Sequence, residues 1–119
     1  GITHVAVLVG DAAAARRFYT GVLGMAVDSE SCEALGARGA SAACVRVGEQ
    51  TIQLLELPNP DPTDGRPVHA GRDRHVAITL HDLAPLKASL EANEVPYTMS
   101  YSGRQALFTR DAYGNGWEF

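Results

Sequence analysis

The sequence predicts an α+β chain made of two tandem βαβββ modules, and three features carry that expectation. The stretch "HVAVLVGD" at 4–11 returns as "HVAITLHD" at 75–82, with Val5/Val76, Ala6/Ala77, Val7/Ile78 and Asp11/Asp82 in step. Self-similarity over a long period marks repeated supersecondary units. Each copy is followed by a helix-like stretch. Each half then closes on strand-like text broken by turns.

Taken in order, "HVAVLV" is an apolar strand, and Asp11 is placed to cap "AAAARRFYTGVLG" (12–24). Alanine is the best helix former, and an Asp at the cap satisfies orphan N–H groups of the first turn. Ala14, Phe18 and Val22 recur at helical spacing, and Gly21 and Gly24 offer stops. "MAVDSE" (25–30) reads as extended, and "ASAACVRV" (40–47), the turn "GEQ" and "TIQLLEL" (51–57) complete the first module. In the second, Asp82 is placed to cap "LAPLKASLEANEV" (83–95), with Pro85 in the first turn, where its missing N–H costs little. Leu83, Leu86 and Leu90 form its apolar stripe. The extended "PYTMSY", the strand "RQALFTR", the turn "DAYGNG" and the strand "WEF" follow. The modules are therefore expected at 1–57 and 75–119. They are joined by a Pro-, Gly- and charge-rich linker at 58–74.

Composition excludes several classes. A chain of 119 residues with 45% hydrophobic and 20% charged residues is an ordinary globular domain. A net charge of −4 gives no electrostatic case for nucleic acid or an anionic membrane. No apolar run approaches the ~20 residues of a membrane span. Cys32 and Cys44 make no disulfide scaffold, and Cys44 in "SAACVRV" reads as a buried free thiol. With no leader visible, a reducing, cytoplasmic setting is expected. There is no G-x-S-x-G, P-loop, dinucleotide glycine fingerprint or CxxC.

The repeat also aligns at its ends. Setting "TIQL" (51–54) against "GWEF" (116–119) matches Gln53 with Glu118. Each module thus starts on a His and places a polar residue in its last strand. Burying such a group unpaired costs roughly 1–3 kcal/mol, so its presence needs a reason. Two His, one Gln and one Glu are a nitrogen/oxygen donor set suited to a borderline or harder divalent ion. Read singly, each His is an ordinary structural residue and Gln53 an ordinary solvent-facing one. Glu56 competes with Gln53, but three residues on it faces the other way unless a bulge intervenes. His69, Arg66, Arg72 and Arg74 in the linker are placed to meet an anion, although a solvated loop accounts for them as well.

At these residues the chain resembles the vicinal oxygen chelate superfamily, which includes glyoxalase I, bleomycin-resistance proteins and extradiol dioxygenases. The text that carries the resemblance is "HVAVLVGDAAAARRFYTGVLGM" together with "DRHVAITLHD" and "RDAYGNGWEF". The resemblance implies curved mixed sheets forming a cleft, and one divalent metal ion (Ni, Zn, Co, Mn or Fe) held by His4, Gln53, His75 and Glu118. It also implies a homodimer, with modules pairing within or between chains. The activity it implies is that of a metal-dependent, glyoxalase I-like lyase or isomerase. Such an enzyme acts through an enediolate on a small 2-oxo substrate or thiol adduct, with Glu118 as ligand and base. Gln53 departs from the glutamate of bacterial-type glyoxalase I and leaves one carboxylate to move a proton, since an amide is no base. The alternative is a bleomycin-resistance-like binding protein without catalysis, using Trp117, Phe108, Tyr97 and Tyr101 as stacking surface. An Fe(II) dioxygenase or a thiol transferase ranks below both.

Overall fold

Eight strands and three α-helices make up two sheets of four in a computed structural model that describes residues 1–36 and 41–119. Position 40 of the strand expected at 40–47 lies outside the described residues. The chain is α+β and divides into two tandem units, Gly1–Asp61 and Pro62–Phe119.

In the first unit the strands are β1 (His4–Val9), β2 (Ala26–Val27), β3 (Ala42–Val47) and β4 (Gln50–Glu56), with helices α1 (Ala12–Gly21) and α2 (Ser29–Gly36). The sheet order is β1-β4-β3-β2, with β1 parallel to β4 and the remaining pairs antiparallel. Asp11 caps α1 as expected, its carboxylate accepting from the Ala14 N–H at 3.0 Å. Helix α1 lies on β3 and β4. Its buried stripe is Ala12, Ala15 and Tyr19, continued by Leu23, not the expected Ala14–Phe18–Val22. Both sets have helical spacing, and the face that wins puts Tyr19 rather than Phe18 fully inside, together with Val45, Ile52 and Leu54.

Helix α2 departs from the sequence reading, which had "MAVDSE" as extended. Only Ala26–Val27 is strand. Asp28 then starts a helix, its Oδ1 accepting from the Ser31 N–H at 3.2 Å. The same carboxylate accepts from Thr51 Oγ1 at 2.6 Å and pairs with Arg46 at 3.1 Å, so α2 is tied to β3 and β4. Cys44 is a fully buried free thiol, as expected.

The second unit repeats the plan with β5 (His75–Ala77), α3 (Ala84–Ala92), β6 (Tyr97–Met99), β7 (Leu107–Arg110) and β8 (Gly116–Glu118) in the order β5-β8-β7-β6. Again the first and last strands are parallel. Asp82 accepts from the Ala84 N–H at 2.9 Å, and Leu86 and Leu90 are the buried positions of α3. Trp117 and Leu107 are fully buried. Gly114, with φ of 86°, makes the turn into β8 in a backbone region that favours glycine. A short 3₁₀ turn, Ala70–Arg72, precedes β5. The solvated-loop reading of this stretch does not hold at His69 and Ala70, which are both buried.

Candidate metal site

Strand register decides which of the candidate donors share a face. In the first sheet Ala6 lies opposite Gln53, and His4 stands two residues before Ala6. Side chains alternate along a strand and laterally paired residues share a face, so His4, Ala6 and Gln53 face the same way. In the second sheet Ala77 lies opposite Glu118, and His75 stands two residues before Ala77. The two sheets therefore present His/Gln and His/Glu in the same register. Ile52, Leu54, Val45 and Ala43 occupy the other face of the first sheet, buried on the α1 side.

The unbroken ladder from His4↔Thr51 to Val9↔Glu56 contains no bulge, which separates Gln53 from Glu56. Glu56 accepts from the Ala12 N–H at 3.2 Å and from Ser41 Oγ at 2.8 Å. Its carboxylate caps the first turn of α1, where the helix dipole favours negative charge. It faces away from Gln53.

His75 is held as metal-binding imidazoles usually are. Its Nδ1–H donates to the Asp73 carbonyl at 2.8 Å; because a carbonyl only accepts, the neutral ring keeps its bare lone pair on Nε2. Asp73 is in turn anchored by Arg110 at 3.0 Å and Arg66 at 3.5 Å. The Arg74 backbone N–H and these guanidinium groups hold its carboxyl below the usual range. Gly116, opposite His75, lets the chain pass closely there: a Cβ would lie 3.3 Å from the His75 Cβ and 3.0 Å from the Arg74 carbonyl oxygen. His4 is exposed and contacts Thr3 Oγ1 at 3.1 Å, a hydroxyl that either donates or accepts.

Glu118 is the sheltered member, with a side chain 14% exposed, and its Oε1 accepts from Arg104 at 2.8 Å. Phe108 lies opposite it on β7, and the equivalent residue opposite Gln53 is Cys44. The Phe108 ring meets His75 edge-on at 5.5 Å and His69 at 4.6 Å; His69 stacks on Tyr101 at 4.1 Å and is hydrogen-bonded to Thr98 Oγ1. Arg72 stands 5.6 Å from the Tyr101 ring centre. Phe108, Tyr101, His69 and Arg72 are each singled out by the sequence, but their clustering and the Arg104–Glu118 pair are not. Gly71 was the available signal for the fold-back of His69, since a Cβ there would lie 2.7 Å from its Nε2. Among the described residues no three His, Cys, Asp or Glu side chains stand together as a ready cage. The donors are presented as one pair per sheet.

Comparison with known proteins follows the same lines. The family model of the Glyoxalase/Bleomycin resistance protein/Dioxygenase superfamily matches residues 1–119. The uncharacterized protein YaeR of Escherichia coli strain K12 is 30% identical over 95 residues, which is 79% of this chain and 71% of that protein. The crystal structure of a putative glyoxalase family protein from Bacillus anthracis superposes with a TM-score of 0.76 at 25% identity, covering 100% of this chain and 92% of the other. Two further crystal structures share the fold. Lactoylglutathione lyase from Agrobacterium tumefaciens has a TM-score of 0.66 at 22% identity, over 99% of this chain and 90% of that one. The fosfomycin resistance protein FosX from Mesorhizobium loti has 0.70 at 14% identity, over 99% and 88%.

Proposed function

Because the chain belongs to the Glyoxalase/Bleomycin resistance protein/Dioxygenase superfamily, we propose that it is a metal-dependent, glyoxalase I-like lyase or isomerase. Its substrate would be a small 2-oxo compound or the thiol adduct of one. The observation that carries the reading is the matched register: each sheet sets a His two residues before the position opposite a Gln or Glu. Repetition of the module alone would carry the His across, but it does not explain a polar Gln or Glu on the same face in the last strand of both sheets.

The donor chemistry fits a divalent ion. Two imidazoles, an amide oxygen and a carboxylate form a nitrogen/oxygen shell for Ni²⁺, Zn²⁺, Co²⁺, Mn²⁺ or Fe²⁺, with no thiolate among them. His75 has its second nitrogen already spent on a backbone carbonyl, as a ligating imidazole requires. His4, Gln53, His75 and Glu118 would hold the ion. When bound, the metal supplies a Lewis acid for two neighbouring oxygens of the substrate.

Proton movement falls to Glu118. Its carboxylate oxygens are the single basic pair in the donor set, since the Gln53 amide takes up no proton at a useful pH. Glu56, the one carboxylate on β4, is spent on the Ala12 N–H and Ser41. The chain is therefore built for a one-sided transfer, in which Glu118 takes the proton from carbon and returns it. Phe108, 4% exposed and opposite Glu118, keeps an apolar surface beside that carboxylate. The working form is a homodimer.

The binding-protein alternative loses part of its stacking surface. Trp117 is fully buried, and Tyr101, which is exposed, has Arg72 against it. A cation at that ring opposes a cationic drug. Elemental analysis of untagged protein, beside Glu118→Ala, tests the reading. About one divalent ion per chain in the wild type, lost in the variant, supports it and directs a substrate screen to 2-oxoaldehyde–thiol adducts. No metal in either, and none taken up from added Ni²⁺, Zn²⁺, Co²⁺ or Mn²⁺, sinks it.

A further inference from the structure

A carboxylate sheltered from water needs partners, because stripping its hydration costs more than most groups recover. Glu118 has a side chain 14% exposed, on a strand flanked by β5 and β7. Its cross-strand neighbours are Ala77 and Phe108, and neither side chain offers a donor. Among the described residues the carboxylate has one hydrogen-bond partner, the Arg104 guanidinium, which gives a single N–H to Oε1 at 2.8 Å. Arg104 reaches in from residues 100–106, the connection between β6 and β7, and is itself 64% exposed.

That pairing is one-sided in two respects. One N–H on one oxygen is weaker than the bidentate fork that Arg and a carboxylate form when locked together. An exposed arginine also swings into solvent at little desolvation cost, whereas Glu118 is fixed in its strand. A half-buried carboxylate is thus left with a replaceable cation.

We propose that Arg104 is a positioning residue for Glu118: an internal counter-ion that keeps the carboxylate turned to the face it shares with His75 until a divalent cation displaces it. The proposal rests on the metal reading above. A divalent ion on Glu118 outbids one guanidinium N–H by charge and repels the arginine at close range, so metal binding and Arg104 release are one exchange. By linkage, whatever removes Arg104 from the carboxylate strengthens metal binding by the same factor that metal weakens the pair.

Isothermal titration of the metal-free full chain with Ni²⁺ or Co²⁺ at low salt reads that factor directly. Arg104→Ala is expected to bind metal about two- to fivefold more tightly than wild type, a range set by partly exposed ion pairs. The gain should shrink as salt rises, and Arg104→Lys should stay near wild type. A second readout is amide hydrogen exchange at Ser102–Gln105, which should accelerate when wild type binds metal and be unmoved by metal in Arg104→Ala. Wild type that binds metal beside an alanine variant that binds it equally or more weakly overturns the proposal and leaves the metal reading standing. No binding in either protein overturns the metal reading and the counter-ion role together.

Discussion

At the scale of single residues, the site face is shaped by what is missing as much as by what is present. The backbone of β8 passes His75 at Gly116, and a methyl group there would meet the Arg74 carbonyl oxygen at 3.0 Å as well as the Cβ atoms of His75 and Ala70. Two of these three neighbours carry His75 or lie next to it in sequence, so strain at position 116 falls on the backbone that positions the imidazole. The equivalent position in the first sheet is Thr51, opposite His4. Its side chain is accommodated there and turned to Asp28. Gly116→Ala should therefore lower stability by about 1–3 kcal/mol, in the range of overpacked interior sites. It should also weaken metal affinity beyond what the stability loss explains. Urea unfolding together with metal titration checks both, and Thr51→Ala serves as the contrast. Normal metal affinity in a destabilised Gly116→Ala protein would show that the glycine serves packing alone.

At the scale of elements, α2 shows how one capping residue redirects a segment. Its Asp28 is 3% exposed, and its carboxyl is held down to about 2 from an ordinary 3.8 by Thr51, against the opposing pull of burial, with Ser31 and Arg46 adding to the effect. A depressed pKa stabilises the fold at pH values above the unfolded value, and that stability is lost as pH falls through the folded one. The sensitive window is thus from about pH 4 down to about pH 2. Asp28→Asn keeps a competent cap but removes the charge and the acceptor oxygen that Thr51 and Arg46 share. It should cost about 1–2 kcal/mol at pH 7, and the difference from wild type should close as pH approaches 2. Chemical denaturation at both pH values measures it; a gap that persists at the acid end would place the effect in geometry. The sequence contained the signal for this helix, since Asp28 precedes Glu30 in a first turn. The apolar "MAV" before it made an extended reading the simpler one. The repeat itself was legible because it lies in strand text, where a His, three apolar residues and an Asp recur in order. The helix stripe was not, because Phe18 and Tyr19 are adjacent, and only packing on β3 and β4 selects Tyr19.

At the scale of the whole molecule, the candidate donors were legible in type and the features that make them usable were not. Alignment of the repeats picks out His4, Gln53, His75 and Glu118, but the Asp73 carbonyl on His75 and the Arg104 guanidinium on Glu118 come from loops outside the repeat text. Register adds what alignment lacked, a shared face within each sheet and a Glu56 turned away from Gln53. The consequence is a prediction about linkage rather than about one residue. His4 belongs to the first unit and Glu118 to the second. A ligand that binds only the folded chain stabilises it by about 2.7 kcal/mol at a hundredfold excess over its Kd. For a chain of this size that is a rise in Tm of roughly 10 °C. If one ion draws on both repeats, His4→Ala and Glu118→Ala should each abolish the same metal-dependent rise, and the double variant should lose no more than either alone. Non-additivity of this kind is the signature of groups that act on one ligand. Differential scanning fluorimetry of the four proteins, with metal and with chelator, decides it. An unchanged metal response in His4→Ala, with the response lost in Glu118→Ala, would assign the ion to the second unit alone and remove His4 and Gln53 from the donor set.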